Sequence, residues 1–132
     1  MSILGRKISG KVVAALAAVM IVGAMLPVMT ETPVDREITL VVRDMSFYLE
    51  GDAARPNPVI TVRRGEHVRV VLKNDERGMT HDFALTALGA ATDLLDWNEQ
   101  DAVTFTAPDQ PGTYQYVCNP HLLMMKGTLK VH

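Results

Sequence analysis

The chain has no second cysteine. Cys118 stands alone among 132 residues, so no internal disulfide can staple the fold. Neither sign of charge is in large excess. The net charge of -2 gives no strong pull toward nucleic acid. There is no internal repeat and no low-complexity tract, which excludes a solenoid or an array. Beyond residue 30 no stretch carries helical periodicity over a convincing length, which argues against a helical bundle. The length is enough for one small domain with a core of its own.

Charge is missing altogether from Val12 to Met29. That run follows Arg6, Lys7 and Lys11, the pattern of a targeting segment rather than part of a fold. Val22-Gly23-Ala24 would serve as a small-residue cleavage site, which makes residues 1–30 a signal peptide. The run is also about long enough to span a bilayer, which makes them an N-terminal membrane anchor. Either way residues 31–132 are expected in the periplasm or on the extracytoplasmic face of a membrane, because the positive charges stay inside. That part keeps ten Lys/Arg against fifteen Asp/Glu and is mildly acidic. A free thiol there is a liability unless something protects it, and a bound metal would do so.

Residues 31–132 read as short strands broken by turns. Glu37–Val42, Ser46–Glu50 and Val59–Val62 are candidate strands, with a Gly- and Pro-containing loop over 51–58. In Glu66–Lys73, Val68, Val70 and Leu72 fall on one face and His67, Arg69 and Lys73 on the other, so His67 reads as a surface histidine. Asn74–Gly78 reads as a turn and Thr80–Thr86 as a strand with His81, Phe83 and Leu85 inward. Leu88–Gln100 has no clean period, and Trp97 within it reads as ordinary packing. Ala102–Ala107 alternates, with Val103 and Phe105 inward. Pro108-Asp-Gln-Pro-Gly112 is a turn signal. Gly112–Cys118 puts Tyr114, Tyr116 and Cys118 on one face, and Gly127–Val131 closes the chain with Leu129 and Val131 inward. Seven or eight such strands imply an all-β sandwich.

The chemistry concentrates in Tyr116-Val-Cys118-Asn-Pro-His121-Leu-Leu-Met-Met125-Lys-Gly127. A thiolate, an imidazole and a thioether on one short loop suit a copper ion that alternates between Cu(I) and Cu(II): soft sulfur favours Cu(I), and imidazole serves either state. The loop lacks a second imidazole. His81 can supply it from an inward face 37 residues upstream. Two histidines, one cysteine and a weak axial methionine make an electron-transfer copper site. Taken alone, Cys118 would be an inert buried thiol and His81 a core histidine satisfied by a carbonyl; their company argues against both.

These motifs resemble those of the cupredoxins, the blue-copper electron carriers of the azurin, plastocyanin and amicyanin type. One is His81-Asp82-Phe83 after a Gly-containing turn. The other is Tyr116-x-Cys118-x-x-His121 followed by Met125 and Gly127. The resemblance covers Glu37 to His132, with only the two motifs specific. It implies a Greek-key β-sandwich holding one type 1 copper ion at one end. It also implies His81, Cys118 and His121 as strong ligands and Met125 as the axial one, with Met124 the alternative by amicyanin spacing. The implied function is that of a monomeric, non-enzymatic carrier of single electrons. Its redox partners would dock at an apolar patch of Pro120, Leu122, Leu123 and Met124 around an exposed His121. Asp82 departs from the family, where an Asn usually ties the two ligand segments together.

Other readings fit less well. A binuclear copper-A centre needs two loop cysteines. A multicopper oxidase needs a histidine-rich cluster, and only His67 and His132 are left over. Zinc rarely takes a thioether. A cysteine hydrolase would need a base and an orienting group, and none is evident. A copper carrier or chaperone of the same fold, handing over the ion rather than the electron, is the alternative. A metal-free structural sandwich is the third reading.

Overall fold

A computed structural model describes residues 31–132; the expected signal or anchor segment, including the uncharged run 12–29, lies outside the described residues. Among the described residues nine strands form two sheets. They are β1 (Arg36–Arg43), β2 (Ser46–Leu49), β3 (Ile60–Val62), β4 (His67–Asn74), β5 (Ala84–Leu85), β6 (Ala90–Ala91), β7 (Gln100–Thr106), β8 (Gly112–Val117) and β9 (Lys126–Val131). One sheet runs β2-β1-β4-β7 and the other β3-β9-β8-β5-β6. β1 lies parallel to β4, with Ile38 opposite Val70, and β3 parallel to β9. β8 and β9 form an antiparallel hairpin whose closed end carries the Cys118–Met125 loop. Among the described residues there is no α-helix, only two 3₁₀ turns, Thr86–Leu88 and Asn119–His121.

The two-residue alternation read in β4, β8 and β9 is what makes a sandwich. Val68, Val70 and Leu72 of one sheet meet Ile60, Tyr116, Leu129 and Val131 of the other in one buried cluster. Phe47, Phe83 and Tyr116 meet edge-on or tilted at its centre, with ring centroids 5.4–6.3 Å apart. The Tyr116 hydroxyl donates to the Pro58 carbonyl at 2.6 Å. Directly across the ladder from Tyr116 sits Gly127. A Cβ there would fall on the Tyr116 ring, so only glycine fits at this position without the tyrosine moving.

Three expectations need correction. The strand expected over Thr80–Thr86 is mostly irregular. Only Ala84–Leu85 pairs as a strand, while His81 makes a single two-bond bridge to Leu95. Asp82 and Ala84 are buried as well as His81, Phe83 and Leu85, Asp82 against Asn119 and Ala84 between its ladder partners Ala91 and Val117, so alternation fails here. Asn74, expected in a turn, is the fully buried end of β4. Its amide donates to the Met79 and Leu95 carbonyls at 2.9 and 3.0 Å, and its oxygen accepts from the Glu76 N–H. One side chain thus gathers the segments on either side of His81. Trp97 is exposed, with the Arg77 guanidinium stacked 4.1 Å from its centroid.

Candidate metal centre

β8 delivers Cys118 to the end of the sandwich in extended conformation, where it caps the Asn119–His121 turn. Pro120 suits the start of such a turn because it has no N–H to satisfy. The loop then closes on itself. The His121 N–H donates to the Cys118 carbonyl at 3.1 Å, and the Met124 and Met125 N–H groups donate to the His121 carbonyl at 3.0 and 2.9 Å. Finally the Cys118 N–H donates to the Met125 carbonyl at 3.0 Å. This last bond sets Met125 beside the cysteine and turns its side chain into the core, fully buried, while Met124 is 61% exposed.

His81 comes from the opposite side, held by the N–H and C=O bonds to Leu95. Its Nδ1 lies 3.6 Å from the Cys118 Sγ, and the His121 Nδ1 lies 3.5 Å from the same sulfur. One donor atom from each of these three residues lies within 4.8 Å of the others. For metal–sulfur and metal–nitrogen bonds of about 2.3 and 2.0 Å, a trigonal ion sets sulfur and nitrogen about 3.7 Å apart. The observed separations fit an ion among the three donors. His67 takes no part; its Nε2 lies 3.4 Å from the Thr106 hydroxyl on the outer face of β4.

The electrostatics favour neutral donors. Burial holds the His81 pKa below the ordinary histidine value; the charge of Glu76 opposes this and His121 reinforces it. Burial likewise pushes the Cys118 thiol up, with the Asp82 carboxylate acting in the same direction and the backbone N–H groups of Asp82 and His121 against it. The metal-free site therefore holds a thiol and a neutral imidazole, and loading it with metal releases the thiol proton.

Two features of the site lie beyond the sequence reading. Asp82 does tie the His81 segment to the Cys118–His121 turn, although it is an acid: Oδ1 accepts the Asn119 N–H and Oδ2 the Asn119 side-chain amide, both at 2.7 Å. Glu76 stands behind His81, with its Oε2 3.0 Å from Nε2. No local motif marks Glu76, because its role depends on Asn74 turning the chain back toward His81.

Comparison with known proteins agrees with this geometry. Among curated proteins, none matches the chain. Several solved structures share its fold. Auracyanin A, a "blue" copper protein from the green thermophilic photosynthetic bacterium Chloroflexus aurantiacus, is 23% identical over 74% of this chain and 98% of its own, with a TM-score of 0.57. Rusticyanin from Thiobacillus ferrooxidans is 20% identical over 73% of this chain and 76% of its own, also at 0.57. The McoA multicopper oxidase from the hyperthermophile Aquifex aeolicus is 15% identical over 76% of this chain but only 27% of its own, at 0.59. The family model for copper binding proteins of the plastocyanin/azurin family matches residues 52–132. With its His-Cys-His cluster of the type 1 copper kind, the chain belongs to the plastocyanin/azurin family of copper-binding proteins.

Proposed function

We propose that this protein carries single electrons between redox partners outside the cytoplasm. Residues 1–30 act as signal or anchor and residues 31–132 as the Greek-key copper domain. The observation that carries the reading is the convergence of the His81 and His121 Nδ1 atoms on one buried thiol. His81, Cys118 and His121 would hold the copper, with Met125 as axial ligand because it is buried and backbone-paired to Cys118 while Met124 faces solvent. Copper, when bound, supplies a one-electron couple. The chain's own part is to keep the donors still. His81 is pinned through Leu95, the loop is closed by four backbone bonds, and Asp82 clamps one segment to the other. Donors that need not move keep the reorganisation cost of electron exchange low.

His121 is half-buried, and around it Leu122, Leu123 and Met124 are 51%, 91% and 61% exposed. An apolar rim of that kind suits brief docking of a redox partner beside the imidazole. The alternative, a copper carrier that hands over the ion, needs open coordination. Burial of three of the four proposed ligands disfavours it.

The test is the visible spectrum after Cu(II) addition, beside Cys118→Ser. An intense blue band that ascorbate bleaches and ferricyanide restores, absent in the variant, is expected. Weak colour with tight Cu(I) binding and fast exchange would replace electron transfer by the carrier role, and no copper binding would refute both.

A further inference from the structure

His81 is completely buried, and Nδ1 is its nitrogen on the Cys118 side. Its other nitrogen, Nε2, is also buried and has no well-aligned hydrogen-bond partner. The acceptor closest to hand is Glu76 Oε2 at 3.0 Å, on a carboxylate whose side chain is only 19% exposed. Glu76 is placed there firmly. Its N–H donates to the Asn74 side-chain oxygen at 2.9 Å, and the preceding N–H, of Asp75, donates to the Val42 carbonyl at 3.0 Å. The same Oε2 accepts the Met45 N–H at 3.1 Å. Met45 and Asp44 form the tight β1–β2 connection, both at positive φ (55° and 48°), so the carboxylate also braces a strained turn.

We propose that Glu76 is the positioning residue of the metal site, receiving the His81 Nε2–H and thereby committing Nδ1 to the metal. The inference rests on His81 being a ligand. A carboxylate behind a ligating imidazole fixes its tautomer and ring orientation and raises its basicity. A more basic, partly anionic ligand set stabilises Cu(II) over Cu(I). Glu76 therefore biases the protein toward its oxidised form, and it does so from a residue that also anchors the β1–β2 turn.

The experiment compares the full chain with Glu76→Gln and Glu76→Ala. Nitrogen-15 spectra of the His81 ring in the metal-free proteins should show Nε2–H alone in the wild type and in Glu76→Gln, which keeps an acceptor oxygen, and a mixture of tautomers in Glu76→Ala. In the copper-loaded proteins Glu76→Gln should keep the blue band yet shift the Cu(I)/Cu(II) equilibrium about tenfold toward Cu(I), a rise of about 59 mV for one electron. A potential unchanged in Glu76→Gln, or a wild-type tautomer persisting in Glu76→Ala, overturns the proposal. The tautomer is read without metal. Failure of the ligand assignment would appear instead as a wild-type chain that takes up no copper, and the two failures are separable.

Discussion

Asp82→Ala is the most informative single change in the fold around the site. The carboxylate is nearly buried and makes two hydrogen bonds of 2.7 Å to Asn119, at the short end of the charge-assisted range. A bond to an ionised group contributes about 1.5–3 kcal/mol, so the pair sets an upper bound of about 3–6 kcal/mol. Two effects reduce it. Asn119 is exposed, so water can satisfy its freed N–H groups, and removing a buried carboxylate recovers part of its desolvation cost. A net loss of about 2 kcal/mol is expected for the metal-free protein, a large share of the roughly 5–15 kcal/mol of an ordinary domain. Asp82→Asn should lose only about 1 kcal/mol, because its oxygen can still accept the Asn119 N–H. Urea unfolding measures both, and a double-mutant cycle with Asn119→Ala isolates the tie, with a coupling of about 1 kcal/mol expected. Because Asp82 and Asn119 adjoin His81 and Cys118, Asp82→Ala should also weaken Cu(II) binding by about tenfold. A loss under about 0.5 kcal/mol with no coupling to Asn119 would refute the reasoning. The His81 and Cys118 segments would then be held together through the Ala84–Val117 pairing.

Three further outcomes are expected. Gly127→Ala must push Tyr116 off its place in the core, costing about 1–3 kcal/mol, and calorimetry should show the midpoint falling by several degrees. Stability of the metal-free protein should decline at both ends of the pH range. On the alkaline side the unfolded chain loses the Cys118 proton near the ordinary value of 9.0, and later that of Tyr116, while the folded chain keeps both, so rising pH favours unfolding. On the acid side the unfolded chain protonates His81 near 6.5 while the folded chain resists, so falling pH favours unfolding; a flat urea midpoint from pH 5 to 10 would contradict both. Leu123→Lys, at the most exposed apolar position of the rim, should slow electron exchange with a redox partner and leave the visible spectrum unchanged; an unchanged rate would remove the docking role.

What was legible in the sequence and what was not divide along a physical line. β4, β8 and β9 are long enough for alternation to show, and each has one face in the core and one in solvent, so Val68, Val70, Leu72, Tyr116, Leu129 and Val131 were readable as inward. The Cys118–Met125 loop was readable because its chemistry is local: three donor types on four of eight residues need no fold to bring them together. His81 was readable as inward from the two-residue period of Thr80–Thr86, with Phe83 and Leu85 on the same side, but as a candidate metal ligand only beside that loop. What alternation could not show is that Asp82 is buried too, against Asn119, and Ala84 as well, between its ladder partners Ala91 and Val117. Asn74, Glu76 and Asn119 were illegible for a related reason. They act through side chain to backbone or side chain to side chain bonds whose partners lie up to 37 residues away, and polar residues in a turn look the same whether they face water or hold a ligand in place. The donor atoms of a metal site are thus written in local chemistry, whereas the bonds that aim them exist only once the chain has folded. Departures such as Asp82 are therefore decided by geometry: the acid performs the clamp between ligand segments that the resemblance assigned to an amide, and it does so because Asn119 presents it with two N–H donors.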